Sequence, residues 1–106
     1  MRFPNRRETE TIEVWWHNQR HHVSVGRFPN GKVGEIFIHG PKSGSDTDSL
    51  AYSIGTSLSI ALQHGATVEE LAKSVARGPR GGPACLVGAV LDCILGLKPE
   101  DGRYAG

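Results

Sequence analysis

Two glycine-rich loops carry the residue types best suited to holding an anion. Gly40-Pro41-Lys42-Ser43-Gly44-Ser45 places backbone N–H groups, an ammonium and two hydroxyls just ahead of a helical pattern that begins near Asp46. Donors and a cation at a helix N-terminus are what a phosphate requires. The residue order is not that of a P-loop, and Asp46 and Asp48 suit the helix dipole themselves. Arg77-Gly78-Pro79-Arg80-Gly81-Gly82 has no acid beside it and leads into Pro83, which suits the first turn of a helix. Lys42, Ser43, Gly44, Ser45, Arg77, Arg80, Gly81 and Gly82 are therefore the candidate anion- or nucleotide-binding residues. The plainer reading is two turns with solvated cations.

A second group suits a larger partner. Arg2, Arg6 and Arg7 surround Phe3 in a basic N-terminal arm. Arginines interleaved with an aromatic can grip single-stranded nucleic acid, although Glu8, Glu10 and Glu13 follow at once and dilute the field. Trp15 and Trp16 fall on opposite faces of a strand, so one ring lies outside the main core. Such a ring is a stacking platform, a subunit interface or structural cover.

The remaining reactive side chains form no constellation. His17 and His21 flank a turn and are weak candidates for zinc or nickel, but further ligands are not evident. The plainer reading is polar turn residues. His64 precedes Gly65 and suits a helix C-terminus. Cys85 and Cys93 stand eight positions apart on one helix, about 12 Å along its axis, too far to bridge. With no Cys-x-x-Cys they read as small hydrophobes, with Cys85 near Arg80 as the more reactive of the two. The serines at 43, 45, 49, 53, 57 and 59 are too evenly spread to single out a nucleophile. The sequence thus leans away from an enzyme, and it names no metal and no cofactor.

The chain has 106 residues, 38% hydrophobic and 22% charged, which allows one domain and excludes collagen, coiled coil and a disulfide scaffold. Its 12 Lys and Arg against 11 Asp and Glu demand neither nucleic acid nor an acidic membrane. No apolar h-region opens the chain, and no run approaches the ~18 residues of a membrane span. The expected location is the cytoplasm, with reduced thiols.

The elements that must position these groups divide into strands and then helices. Residues 11–16, 21–25 and 32–38 alternate as strands. His17-Asn18-Gln19-Arg20 is the first loop, and Asn30-Gly31 predicts a type I′ turn at the second. Asp46 to His64 carries Leu50, Ile54, Leu58, Ala61 and Leu62 at helical spacing, with Ser45 or Asp46 as N-cap and Gly65 beyond its end. Its small residues, Ser53, Gly55, Ser57 and Ser59, predict close packing against another element. Thr67 and Glu70 form a capping box for a short helix that ends at Gly78-Pro79. A third helix is predicted over 83–95. The fold class is α+β, a three-stranded antiparallel meander followed by three helices on one sheet face. Residues 1–8 are read as the basic arm, 9–96 as the domain and 97–106 as a mobile polar tail.

Glu35-Ile36-Phe37-Ile38, Lys42-Ser43-Gly44-Ser45, the run from Ser57 through Gln63-His64-Gly65, and the glycine-rich loop into Pro83-Ala84-Cys85 follow one another as in the TSCPD domain. The chain resembles that family over about residues 9–95, with Pro4-Asn5-Arg6-Arg7 similar to the start of its standalone bacterial and phage versions. Of the Thr-Ser-Cys-Pro-Asp signature only Cys85 is carried over. The family includes a domain near the C-terminus of adenosylcobalamin-dependent ribonucleotide reductases, whose catalytic barrel this chain has no room for. The resemblance implies a non-catalytic accessory module that binds a nucleotide, or a reductase or replication partner. The alternatives are a small nucleic-acid-binding protein using the arm, or a purely structural interaction domain. A three-stranded sheet with one open face also suggests a homodimer.

Overall fold

A computed structural model describes residues 8–40, 46–97 and 103–104. Strands β1 (Glu8–Trp16), β2 (Gln19–Arg27) and β3 (Val33–His39) form the antiparallel meander. Helices α1 (Asp46–Gln63), α2 (Val68–Ser74) and α3 (Leu86–Ile94) follow. The α+β reading, strands first and helices after, holds. The polar tail adds something the sequence did not announce. Arg103–Tyr104 forms β4, parallel to Trp15–Trp16, so the sheet runs β3-β2-β1-β4.

Period-2 alternation decides the core. Val14, Val23, Val25, Ile36 and Ile38 are fully buried on one sheet face, with Ile12 and Trp16 packed beside them. Ala51, Leu58 and Leu62 of α1, Val68 and Ala72 of α2, and Ala89, Val90 and Leu91 of α3 close the core from the helical side. No helix among the described residues is long and apolar enough to cross a membrane.

The small-residue face of α1 finds its partner at the sheet edge. Gly55 lies so close to β3 that a Cβ there would meet the Ile36 carbonyl oxygen at 2.9 Å and the Ile38 nitrogen at 3.0 Å. Ser59 Oγ accepts from the Ile36 N–H at 2.8 Å and lies 2.9 Å from the Ile36 carbonyl oxygen. Gln63 donates to the Gly34 carbonyl at 3.1 Å. An exposed strand edge invites pairing with another chain. Here α1 lies along that edge and bonds the Ile36 N–H and the Ile36 and Gly34 carbonyls. Ser53 and Ser57 are exposed instead, with the Ser57 hydroxyl donating to the Ser53 carbonyl.

The first hairpin differs from expectation in loop length and the second in turn type. His17 and Asn18 have φ of 50° and 63°, so the β1–β2 connection is a tight primed turn and β2 begins at Gln19. At the β2–β3 connection only Gly31 has positive φ. The Gly31 N–H donates to the Phe28 carbonyl and the Phe28 N–H to the Lys32 carbonyl. That is a Pro-initiated turn closed by a left-handed glycine, not a type I′ turn. Proline at 29 sets a negative φ, which selects this geometry.

The helix ends are chemically specified. The Gly65 N–H bonds to the Leu62 carbonyl and the Ala66 N–H to the Ala61 carbonyl, with Gly65 at φ 108°, a Schellman end for α1. Thr67 caps α2 through the full capping box with Glu70. Of the two proposed caps of α1, Ser45 lies outside the described residues and Asp46 is the first residue of the helix. Asp48 instead accepts from the Gly40 N–H at 2.9 Å, tying the end of the β3 segment to α1. Helix α3 starts at Leu86 rather than 83, with Cys85 as an N-cap that makes no side-chain capping bond.

Candidate functional site

The Arg77–Gly82 segment is a hairpin. Gly78 N–H donates to the Gly82 carbonyl at 2.8 Å and Gly81 N–H to the Gly78 carbonyl at 3.0 Å, while Arg77 pairs with Pro83 across the bridge. This repeats the bonding of the Phe28–Lys32 turn: in both, a proline follows the first residue and a left-handed glycine stands fourth. The consequence for anion binding is direct. Two glycine N–H groups point into the turn and not outward. Pro83 belongs to the returning arm, so the helix N-terminus lies beyond it.

Arg77 has an acid partner that the local sequence does not reveal. Its guanidinium grips Asp92 of α3 with two bonds, 2.7 Å and 3.0 Å, and also donates to the Ala72 carbonyl at 2.7 Å. Asp92 is buried, and its side chain is 9% exposed against 27% for Arg77. A forked, charge-assisted pair of this kind locks α2, the hairpin and α3 together. Its charge is spent on Asp92. Arg80, at the exposed tip, is the cation of this loop that projects into solvent, beside exposed Gly81 and Gly82. Lys42, Ser43, Gly44 and Ser45 lie outside the described residues, as do Arg2, Arg6 and Arg7.

The tryptophans divide as alternation predicts. Trp16 packs against the core and stacks on His17 with centroids 4.5 Å apart. Trp15 lies on the other face and donates to Glu13 at 2.7 Å. That second face carries no helix among the described residues. Its cross-strand rows are Trp15–Arg20, Glu13–His22–His39 and Thr11–Ser24–Phe37. Tyr52 of α1 extends it, stacked on Phe37 at 6.4 Å and tilted to His39 at 6.3 Å. The result is one surface with three aromatic rings, two exposed histidines and opposite charges in Glu13 and Arg20.

The histidine pair does not converge. His17 is exposed in the turn, whereas His21 is 2% exposed on the core face. Burial lowers the His21 pKa below its ordinary value of 6.5, against hydrogen bonding at the Gln19 and Val14 backbone that raises it, and with the charge of His22 lowering it further. Among the described residues no three His, Cys, Asp or Glu side chains gather as a metal site. Cys85 and Cys93 form no disulfide and are half-buried.

One cavity escaped sequence reasoning altogether. A cleft of about 740 Å³ opens between the β2–β3 turn, the α1–α2 connection and the end of α3. Its walls bring together Arg27, Lys32, His64 and Glu69 above Leu62, Val68 and Ile94. The only sequence signals were the Asn30-Gly31 turn and the Gly65 helix stop, both of which read as punctuation.

Comparisons with known proteins give the family of the chain. The TSCPD domain family matches residues 2–94. A vitamin B12-dependent ribonucleotide reductase of Rhodopirellula baltica is 37% identical over 68 residues, 64% of this chain and 6% of that protein. One of Agrobacterium fabrum is 30% identical over 69 residues, 65% of this chain and 5% of that protein. The chain therefore spans about a twentieth of the length of these relatives. No solved structure matches it. With the match running from the N-terminal arm to the last turn of α3, the chain belongs to the TSCPD domain family.

Proposed function

We propose that this chain is a non-catalytic binding module that works in the cytoplasm beside a B12-dependent ribonucleotide reductase, meeting it through the open sheet face. The observation that carries the reading is that face. It presents Trp15, Phe37 and Tyr52 beside His22 and His39, with Tyr52 51% exposed. Aromatic rings rimmed by charge are the usual anchors of protein interfaces. The family relationship supplies the partner class: relatives that carry this domain are named as reductases. A second copy of the chain is the competing occupant of the same face. Arg80 with Gly81 and Gly82 is what remains, among the described residues, of the proposed anion contact, with Arg77 as its anchor.

Binding of the purified protein to an adenosylcobalamin-dependent ribonucleotide reductase tests this by surface interferometry. The reading expects a saturable complex that a Phe37→Ala, Tyr52→Ala double variant weakens about tenfold or more. Circular dichroism confirms that the variant is folded. No complex at ~100 µM protein, or equal binding by the variant, overturns it. A concentration-dependent dimer abolished by the same pair of substitutions assigns the face to self-association instead.

A further inference from the structure

We infer that the cleft beside the β2–β3 turn is a binding site for a small molecule with a flat apolar body and one anionic group. The inference is independent of the reductase contact, since none of Trp15, Phe37 and Tyr52 lines the cleft. Its volume, about 740 Å³, falls within the range of small-ligand sites. The floor is apolar: Leu62 and Val68 are buried, and Val33, Ile94 and Leu95 are half-buried. Phe28 also lines it.

The rim chooses the sign of the ligand's charge. Arg27, Lys32 and His64 line the cleft against a single acid, Glu69. Arg27 donates to Glu10 at 3.0 Å and to the Gly31 carbonyl at 3.0 Å, so its charge is partly balanced. Lys32 and His64 are exposed. The turn N–H groups along the cleft are already used. The N–H groups of Gly31, His64, Gly65 and Ala66 all donate within their turns, and that of Lys32 donates to the Asn30 side chain. We assign the anionic group to the exposed ammonium of Lys32 as its principal cation. An ammonium on a flexible stem above an apolar floor suits a phosphate or a carboxylate attached to a ring.

Amide NMR titration of the full chain tests this with two probes that carry the shared chemistry from different sources. Adenosine 5′-monophosphate represents a nucleotide, and indole-3-acetate an aryl carboxylate. The expected result is shifts confined to Gly31–Val33, Gln63–Val68 and Ile94–Leu95 with at least one probe, and about tenfold weaker binding in Lys32→Glu. Lys32 is exposed, so that variant keeps the fold. Response to the first probe alone assigns the site to nucleotides, and to the second alone to aryl acids. No shifts at about 10 mM of either probe, shifts centred on Arg80 instead, or equal binding by Lys32→Glu each overturn the inference.

Discussion

The Ser59 hydroxyl and the Ile36 backbone are joined at both ends: Ile36 N–H donates to Ser59 Oγ at 2.8 Å, and Ser59 Oγ lies 2.9 Å from the Ile36 carbonyl oxygen. A single side chain thereby replaces the strand that would otherwise pair with the edge of β3. Ser59 also lies 2.9 Å from the Gly55 carbonyl, so its one proton is shared between two acceptors. Ser59→Ala leaves a buried N–H without a partner, which costs about 1–3 kcal/mol. Urea denaturation is expected to show a loss of that size, while Ser57→Ala, on the exposed side of the same helix, changes stability by less than about 0.5 kcal/mol.

Gly55 sets how close the helix can come to the strand. Alanine is favoured over glycine inside a helix by about 1 kcal/mol. At this position the added Cβ meets backbone at 2.9 Å and 3.0 Å, which cannot swing aside as a side chain can. Overpacking of this kind costs about 1–3 kcal/mol. The net expectation for Gly55→Ala is destabilisation, together with weakened Ser59 and Gln63 contacts seen as faster exchange of the Ile36 amide proton. A stabilised variant contradicts the close approach.

His21 makes stability fall in mild acid. Its pKa in the folded state is lowered by burial below the ordinary 6.5. The neutral ring is therefore favoured by folding, and protonation favours unfolding. The stability that depends on the neutral form is fully present above pH 6.5 and is lost as pH falls through 6.5 toward the lower folded value. One such proton contributes at most about 1.4 kcal/mol per pH unit. The other four histidines are exposed. Equilibrium unfolding between pH 7.5 and 5 is expected to show this slope in the parent protein and a flatter one in His21→Leu.

The Arg77–Asp92 fork predicts an asymmetric response to substitution. Asp92→Ala removes the acceptor of a half-buried guanidinium and costs about 2–3 kcal/mol by loss of its charge-assisted bonds. Arg77→Lys keeps the charge but not the fork, and falls between the parent and the alanine variant. Thermal melts of the two variants check the order. Equal melting of both contradicts the bidentate geometry.

The strand and helix order was legible because it rests on periodicity. Val14, Val23 and Val25 alternate, Leu58 and Leu62 recur at helical spacing, and Thr67 with Glu70 spells a capping box. The closeness of α1 to another element was legible in Gly55 and Ser59, but not which element it met. Asn30-Gly31 alone points to a type I′ turn, but Pro29 ahead of it fixes a different φ. The hairpin at Gly78–Gly82 was hidden for the same reason: glycines read as a loop, while the bonds that fold it run between backbone groups. The Asp92 partner of Arg77 lies 15 positions away on another helix, and β4 is only two residues long. Neither leaves a local pattern. The cleft is assembled from three segments, none of which marks it alone.

The most direct test of the account is an amide NMR map of the labelled protein with unlabelled adenosylcobalamin-dependent ribonucleotide reductase. The account predicts selective broadening at His22, Ser24, Phe37, His39 and Tyr52, with Arg80, Gly81 and the cleft residues Gly65 and Ala66 unchanged. Unperturbed signals across the open sheet face, or broadening centred elsewhere, would contradict it.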